Sequence, residues 1–144
     1  MPSQTLDAAI KALVALLKTV TGLSVNCVYE GPRESFQLPG DQTVAVVVTE
    51  GPEDADDSMT NTTFYACTVC IRVYWKQPAE ESDLTNMRAL MDLIRDKVGN
   101  NPQLSNTCAL CKWLEKDNPI YWPRSGAVKT VDVFVSILYK RERS

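Results

Sequence analysis

The stretch Phe64-Tyr-Ala-Cys-Thr-Val-Cys-Ile-Arg-Val-Tyr-Trp-Lys76 has the clearest pattern in this sequence. Every second residue from Tyr65 to Trp75 is apolar, and this period of two is typical of a β-strand with one buried face. The opposite face carries apolar, polar and charged residues. Gln77-Pro78 then ends the strand, because proline cannot donate a hydrogen bond to a neighbouring strand. The pattern predicts a strand roughly 40 Å long, at about 3.3 Å per residue, that projects beyond a small sheet.

Four other segments have the composition of strands. Thr43–Thr49 is β-branched and almost entirely apolar, which favours a central strand covered on both faces. Ala127–Arg141 alternates between apolar and polar residues and predicts a second long strand with one buried face. Shorter strands are predicted at Val25–Tyr29 and Cys108–Glu115.

Two segments have the period of amphipathic helices, and glycines at 22 and 99 are placed to end them. Their apolar positions are Leu6, Ala9, Ile10, Leu13, Leu16, Leu17 and Val20 in the first, and Leu84, Met87, Leu90, Met91, Ile94 and Val98 in the second. The order of elements is therefore α-β-β-β-α-β-β. It predicts a single α+β domain over residues 1–144, with two helices packed on one face of a mainly antiparallel sheet of about five strands.

The composition excludes several kinds of catalytic site. The 144 residues include no histidine, so Ser/His/Asp and Cys/His nucleophiles and histidine metal ligands are absent. There is no GxGxxG, Walker A or GxSxG motif. Carboxylate pairs for acid–base catalysis remain open, although no acidic residue lies in a recognisable motif. The sequence thus predicts a protein that is not an enzyme and that needs no cofactor.

Four of the five cysteines form two CxxC strings, which is the spacing of a Cys₄ zinc site. The strings are Cys67–Cys70 and Cys108–Cys111. The residues between the cysteines are Thr-Val and Ala-Leu, which do not favour the tight turn of a zinc knuckle. On a strand, residues three apart point to opposite faces. We therefore predict structural thiols and no metal, with a zinc site at these four residues as the alternative and a redox pair as a further one.

Negative charge is concentrated in one segment. Glu50, Glu53, Asp54, Asp56 and Asp57 lie within eight positions, so the remainder of the chain carries a net charge of +2 when the whole carries −3. With Gly51-Pro52 near its start, the segment predicts a long acidic loop at about 50–63. The loop is either simply solvated or a docking surface for a basic partner. An EF-hand is excluded, because the required glycine and glutamate positions hold Met59 and Tyr65.

Two other groups of residues are candidate interface anchors. Tyr121 and Trp122 lie in a turn-rich connection, where they either contact a partner or cover the protein's own core. Arg141 and Arg143 make the C-terminal end basic, which is also common in a solvated terminus. The apolar residues from 6 to 20 are too few, and too often interrupted by charges, to span a bilayer, so no membrane association is predicted.

Taken in order, an amphipathic helix, three strands with long loops, a second helix ending near Gly99-Asn-Asn-Pro102 and a long final strand resemble the phage tail terminator (tail completion) proteins. The resemblance covers essentially the whole chain and is carried by element order and loop placement. It implies a ring, usually a hexamer, that caps the finished tail tube, ends its polymerisation and joins it to the head–tail connector. Other phage neck or head-completion proteins have similar designs and are the alternative within this class.

The resemblance also implies partners and a location. The partners are further copies of the chain, the tail tube protein and the head–tail connector or neck protein. The location is the tail–neck junction of the virion, after assembly in the host cytoplasm. The acidic segment would face the tube or the lumen, where negative charge repels passing DNA without specific nucleic-acid binding. The alternative from another class is a small metal- or ligand-binding α+β module that uses the CxxC cysteines.

Overall fold

The described part of the chain forms two helices and six strands, and their order matches the predicted one apart from one added short strand. The computed structural model describes residues 4–23, 26–31, 44–56, 62–76, 81–114, 120–121 and 128–142. The helices are α1 (Leu6–Leu17) and α2 (Glu81–Gly99). The strands are β1 (Val28–Glu30), β2 (Val44–Asp56), β3 (Thr62–Lys76), β4 (Leu110–Trp113), β5 (Ile120–Tyr121) and β6 (Val128–Glu142).

The strands form one mainly antiparallel sheet in the order β1-β2-β3-β6-β4, with β5 also paired to β6. The pairing of β1 with β2 is the parallel one in the described sheet. The central strand β3 pairs with β6 over its whole length, from Thr62 opposite Glu142 to Lys76 opposite Val128. This arrangement confirms the predicted α+β class.

The main core lies between the helices and one face of the sheet. The predicted apolar face of β3 is confirmed, since Cys67, Val69, Ile71 and Val73 are fully buried there. Residues 44–48 of β2 are all buried, as expected for a central strand covered on both faces. From the helices, the most deeply buried side chains of this core are Ala9, Leu13, Leu17, Met87, Ile94 and Val98.

The prediction of a loop over residues 50–63 is wrong for most of that segment. Strand β2 continues through Asp56 and β3 begins at Thr62, so Glu50, Glu53, Asp54 and Asp56 belong to a strand. Asp57 lies outside the described residues. The long β3 supplies backbone partners that override the low strand propensity of acidic residues. A shift in register between Glu50 and Glu53 accommodates Gly51-Pro52 as a β-bulge.

Smaller differences concern the short strands. β1 is Val28–Glu30, later than the predicted strand, whose Val25 lies outside the described residues. β4 is Leu110–Trp113, so Cys108 precedes the strand. The connection predicted to be rich in turns contains β5, which pairs Tyr121 with Thr130. Neither described helix is long and apolar enough to cross a membrane.

Replacing Gly51 with alanine is expected to destabilise the pairing of β2 with β3. A Cβ at this position would lie 2.6 Å from the carbonyl oxygen of Thr68, and a backbone atom cannot move aside as a flexible side chain can. Overpacking of this kind costs about 1–3 kcal/mol, which urea unfolding measures directly. Gly99→Ala is the control, because its Cβ meets nothing within 4 Å. Equal stabilities of the two variants would contradict the prediction.

Candidate assembly surface

Strand β2 changes from buried to exposed at Glu50, and its exposed part carries the acidic residues. Residues 44–48 are buried, whereas residues 50–54 are all exposed. Glu50 and Glu53 lie opposite Val69 and Cys67 of β3, on the face that carries the main core. Asp54 lies opposite Ala66, on the other face. We call residues 50–56 of β2 the acidic edge.

Glu53 is bound to the sheet itself. The Tyr139 hydroxyl donates a hydrogen bond to its carboxylate, and the Tyr139 ring stacks on Tyr65 with 5.4 Å between ring centroids. Burial and, after it, this hydrogen bond raise the pKa of the Tyr139 phenol, so the hydroxyl remains a donor. Glu50 and Asp54 make no ion pair within the described part of the chain. Their charges are thus available to a partner.

Basic side chains lie on the opposite side of the sheet. Lys112 of β4 and Arg141 of β6 are exposed, and Lys140 of β6 is half-buried. Arg141 was predicted from the sequence as an anchor, whereas Lys112 was not, because only the pairing of β4 with β6 brings it to this side. We call Lys112, Lys140 and Arg141 the basic edge. Strand β3 separates the acidic edge from Lys140 and Arg141, and β3 and β6 together separate it from Lys112.

The other predicted anchors are not brought to this surface. Tyr121 lies in β5 with its backbone paired to Thr130, and nothing is described of its side chain. Trp122 and Arg143 lie outside the described residues.

All five cysteines are buried, and the structure separates the first CxxC string as predicted. Cys67 lies in the main core opposite Ile137, whereas Cys70 lies on the other face opposite Phe134. The Cys67 thiol donates to the Gly51 carbonyl oxygen at 3.6 Å, so this thiol contacts the bulge. A metal ion cannot bind both sulfurs of a pair that points to opposite faces.

The expectation that Cys108 and Cys111 also point apart is wrong. Cys108 precedes β4 and follows a turn in which Leu104, Ser105 and Asn106 have positive φ angles of 45°, 57° and 66°. Both thiols are therefore buried in the main core. Burial raises the pKa of Cys108 to about 11 and that of Cys111 to about 12. Such thiols stay protonated, which disfavours metal binding and redox chemistry. Among the described residues, no three cysteine or acidic side chains are grouped to hold a metal ion.

The native thiols are expected to react slowly with a thiol reagent at neutral pH, and all five to react in denaturant. Burial slows the attack on all five thiols, and the raised pKa values of Cys108 and Cys111 slow it further at these two. A Thr85→Cys variant, with its new thiol on an exposed position of α2, is the control and reacts at once. Rapid reaction of native Cys108 or Cys111, or release of about one zinc ion per chain on denaturation, would show that the thiols form a functional site.

A groove of about 710 Å³ lies between the start of α1 and the turn before β4. Lys140 is the one charged side chain that lines it in the described part of the chain. Gln4 lies beside Lys140, since its backbone N–H donates to the Lys140 carbonyl oxygen and its side chain accepts from the Lys140 N–H. The lining residues that the structure describes include no pair of acidic and basic groups for proton transfer.

Comparisons with known proteins show a similarity of fold and no similarity of sequence family. No protein-family model matches this chain, and no curated protein matches its sequence. A chain of the solved structure "Virion of native gene transfer agent (GTA) particle" superposes on it with a TM-score of 0.50 and 15% sequence identity. The match covers 94% of this chain and 95% of that chain. At this identity, the match shows that the two chains share a fold over nearly their whole lengths.

Proposed function

We propose that this protein is a structural component of a phage-like virion. The observation that carries the proposal is the shared fold with a chain of the gene transfer agent virion, which leaves little of either chain unmatched. The buried thiols and the weakly charged groove support a role through surfaces, without catalysis or a cofactor. Fold similarity by itself does not define function, so the role rests on the surfaces described above as well.

The specific role that we propose is that of a tail terminator. Copies of the chain form a ring, a hexamer, that caps the tail tube, ends its polymerisation and joins it to the head–tail connector. The order of elements supports this role, as does the presence of two different lateral surfaces on one subunit. A closed ring needs two such surfaces, because each subunit contacts its two neighbours through different patches. DNA would pass through the lumen without specific binding.

Electron microscopy of the purified protein with tail tubes tests this proposal. Mass photometry should detect hexamers, either alone or on addition of tubes, and the tubes should stop growing at the capped end. Labelled protein should lie at the tail–neck junction of particles. Binding to the head vertex in the absence of tubes would support the alternative neck or head-completion role. A protein that joins neither tubes nor particles would overturn both roles.

A further inference from the structure

The proposed ring requires each subunit to present two surfaces that fit each other. We infer that the acidic edge of one subunit docks on the basic edge of the next copy of this chain. This inference rests on the proposed ring and names the surfaces through which it closes. It is carried by the placement of opposite charges on the two lateral sides of one sheet.

Residues 50–54 of the acidic edge are exposed, and the outer side of its backbone has no described strand partner. On the side of β2 away from β3, strand β1 pairs with Val46–Val48 alone, and no described residue pairs with residues 50–56 on that side. Glu50 and Asp54 lie on opposite faces of the strand, so carboxylates flank the edge above and below. A neighbouring surface that covers this edge must therefore compensate two negative charges.

The basic edge offers side chains in place of backbone groups. On the side of β6 away from β3, segments of the same chain are already hydrogen-bonded to the backbone. They are β5 at Thr130 and Val131, β4 at residues 135–138, and Gln4 at Lys140. The exposed side chains here are Lys112 and Arg141, and beside Lys112 lies Leu110, which is 42% exposed. An exposed leucine beside a cation is suited to a contact whose rim is charged.

The geometry favours ion pairing between the edges and disfavours strand addition. Gly51-Pro52 forms a bulge in β2, and proline, bulges and charged side chains on an edge all hinder pairing with a foreign strand. The backbone of the facing edge is already hydrogen-bonded within its own subunit. The contact between neighbours is therefore made by Glu50 and Asp54 with Lys112 and Arg141. Glu53 takes no part, because it accepts the hydrogen bond of Tyr139.

Charge reversal on one edge at a time tests the contact. Variant A carries Glu50→Lys and Asp54→Lys, and variant B carries Lys112→Glu and Arg141→Glu. In either variant the four contact positions carry charges of one sign, although Glu53 and Asp56 leave the acidic edge of variant A neutral overall. Ring formation should therefore weaken by roughly a hundredfold or more, since like charges placed together cost several kcal/mol. An equimolar mixture of A and B should form rings again, because the two chains alternate around a ring with an even number of subunits.

The control is a variant with Asp92→Lys and Asp96→Lys, which has the same charge change as variant A on exposed positions of α2. It should form rings as the wild-type protein does. Circular dichroism and thermal unfolding establish that each variant is folded. Mass photometry is done with and without tail tubes, and wild-type rings should dissociate more readily as the salt concentration rises.

The outcomes separate the two proposals. If the wild-type protein forms no ring, alone or on tubes, the proposed function fails and the inference fails with it. If wild-type rings form and variants A and B also form rings, the inference alone is overturned. Loss of tube capping by rings of variant A would then show that the acidic edge faces the tube, and altered DNA passage would show that it faces the lumen. Failure of the mixture to restore rings also overturns the inference.

Discussion

Replacing Asp132 with alanine is expected to lower the free energy of unfolding by about 2–3 kcal/mol, because it leaves the partly buried guanidinium of Arg72 without its carboxylate partner. Asp132 of β6 lies opposite Arg72 of β3. The guanidinium donates from Nε to Oδ1 at 2.6 Å and from Nη2 to Oδ2 at 2.9 Å. This bidentate pair is the first cause of the raised pKa of Arg72. The side chains are 24% and 14% exposed, so water replaces the lost carboxylate only in part.

A double-mutant cycle separates the pair from its surroundings. Urea unfolding of Asp132→Ala, Arg72→Met and the double variant should give a double-variant loss smaller than the sum of the single losses, since an apolar pair no longer buries an unpaired charge. Lys11→Ala is the control. Its ion pairs to Asp7 and Glu30 are 3.4 and 3.2 Å long but the side chains are largely exposed, so its unfolding midpoint should hardly change. Additive losses would contradict the prediction.

The pairing of Arg72 with Asp132 could not be predicted from the sequence. Arg72 is conspicuous as the one charge within the apolar run Val69–Tyr74, and Asp132 is equally conspicuous in the last strand. Their partnership depends on the register between strands 60 positions apart, which local periodicity does not determine. The same holds for Glu53 and Tyr139. In contrast, the buried faces of β3 and β6 follow from a period of two, which local sequence does determine.

The acidic edge shows a second limit of sequence-based prediction, since its secondary structure depends on a distant strand. Local composition favours a loop at residues 50–56, but the pairing partner is supplied by β3, which is long enough to hold this segment as a strand. Tertiary context therefore overrides propensity. The charge asymmetry itself was visible in the sequence, but its position on one lateral side of the sheet was not. Lys112 shows the same limit, because its place on the basic edge depends on the position of β4 beside β6.

The two CxxC strings differ in how far the sequence predicts the positions of their thiols. Cys67 and Cys70 belong to one uninterrupted strand, so the alternation of side chains sends them to opposite faces. Cys108 does not obey that rule because it precedes β4 and follows a turn in which three successive residues have left-handed backbone angles. Such a turn in residues other than glycine is strained and has little signature in the sequence. The structure thus brings together two thiols that the sequence predicts to be apart.

We expect the thiols of Cys108 and Cys111 to make the folded protein less stable at alkaline pH. The pKa of Cys108 rises from 9.0 to about 11, and that of Cys111 from 9.0 to about 12, in both cases first because of burial. The folded state therefore retains protons that the unfolded state releases above pH 9. The stability that the protonated thiols contribute is fully present below their unfolded pKa and is lost as the pH rises towards their folded pKa values.

The size of the effect follows from the number of protons retained. Each thiol contributes a loss of about 1.4 kcal/mol per pH unit while it is protonated in the folded state and ionised in the unfolded one. Two thiols together remove several kcal/mol between about pH 9 and pH 11, which is a large part of the stability of a domain of this size.

Urea unfolding at a series of pH values measures how steeply the stability falls with pH. A variant with Cys108→Ala and Cys111→Ala is the comparison: it is less stable at pH 7, because it leaves small cavities, but its stability should fall less steeply above pH 9. Tyrosine and lysine ionisation act equally on both proteins, apart from small changes in packing, so the difference in slope reports the two thiols. Equal slopes would mean that Cys108 and Cys111 ionise as readily in the folded chain as in the unfolded one, and that the core around them admits water.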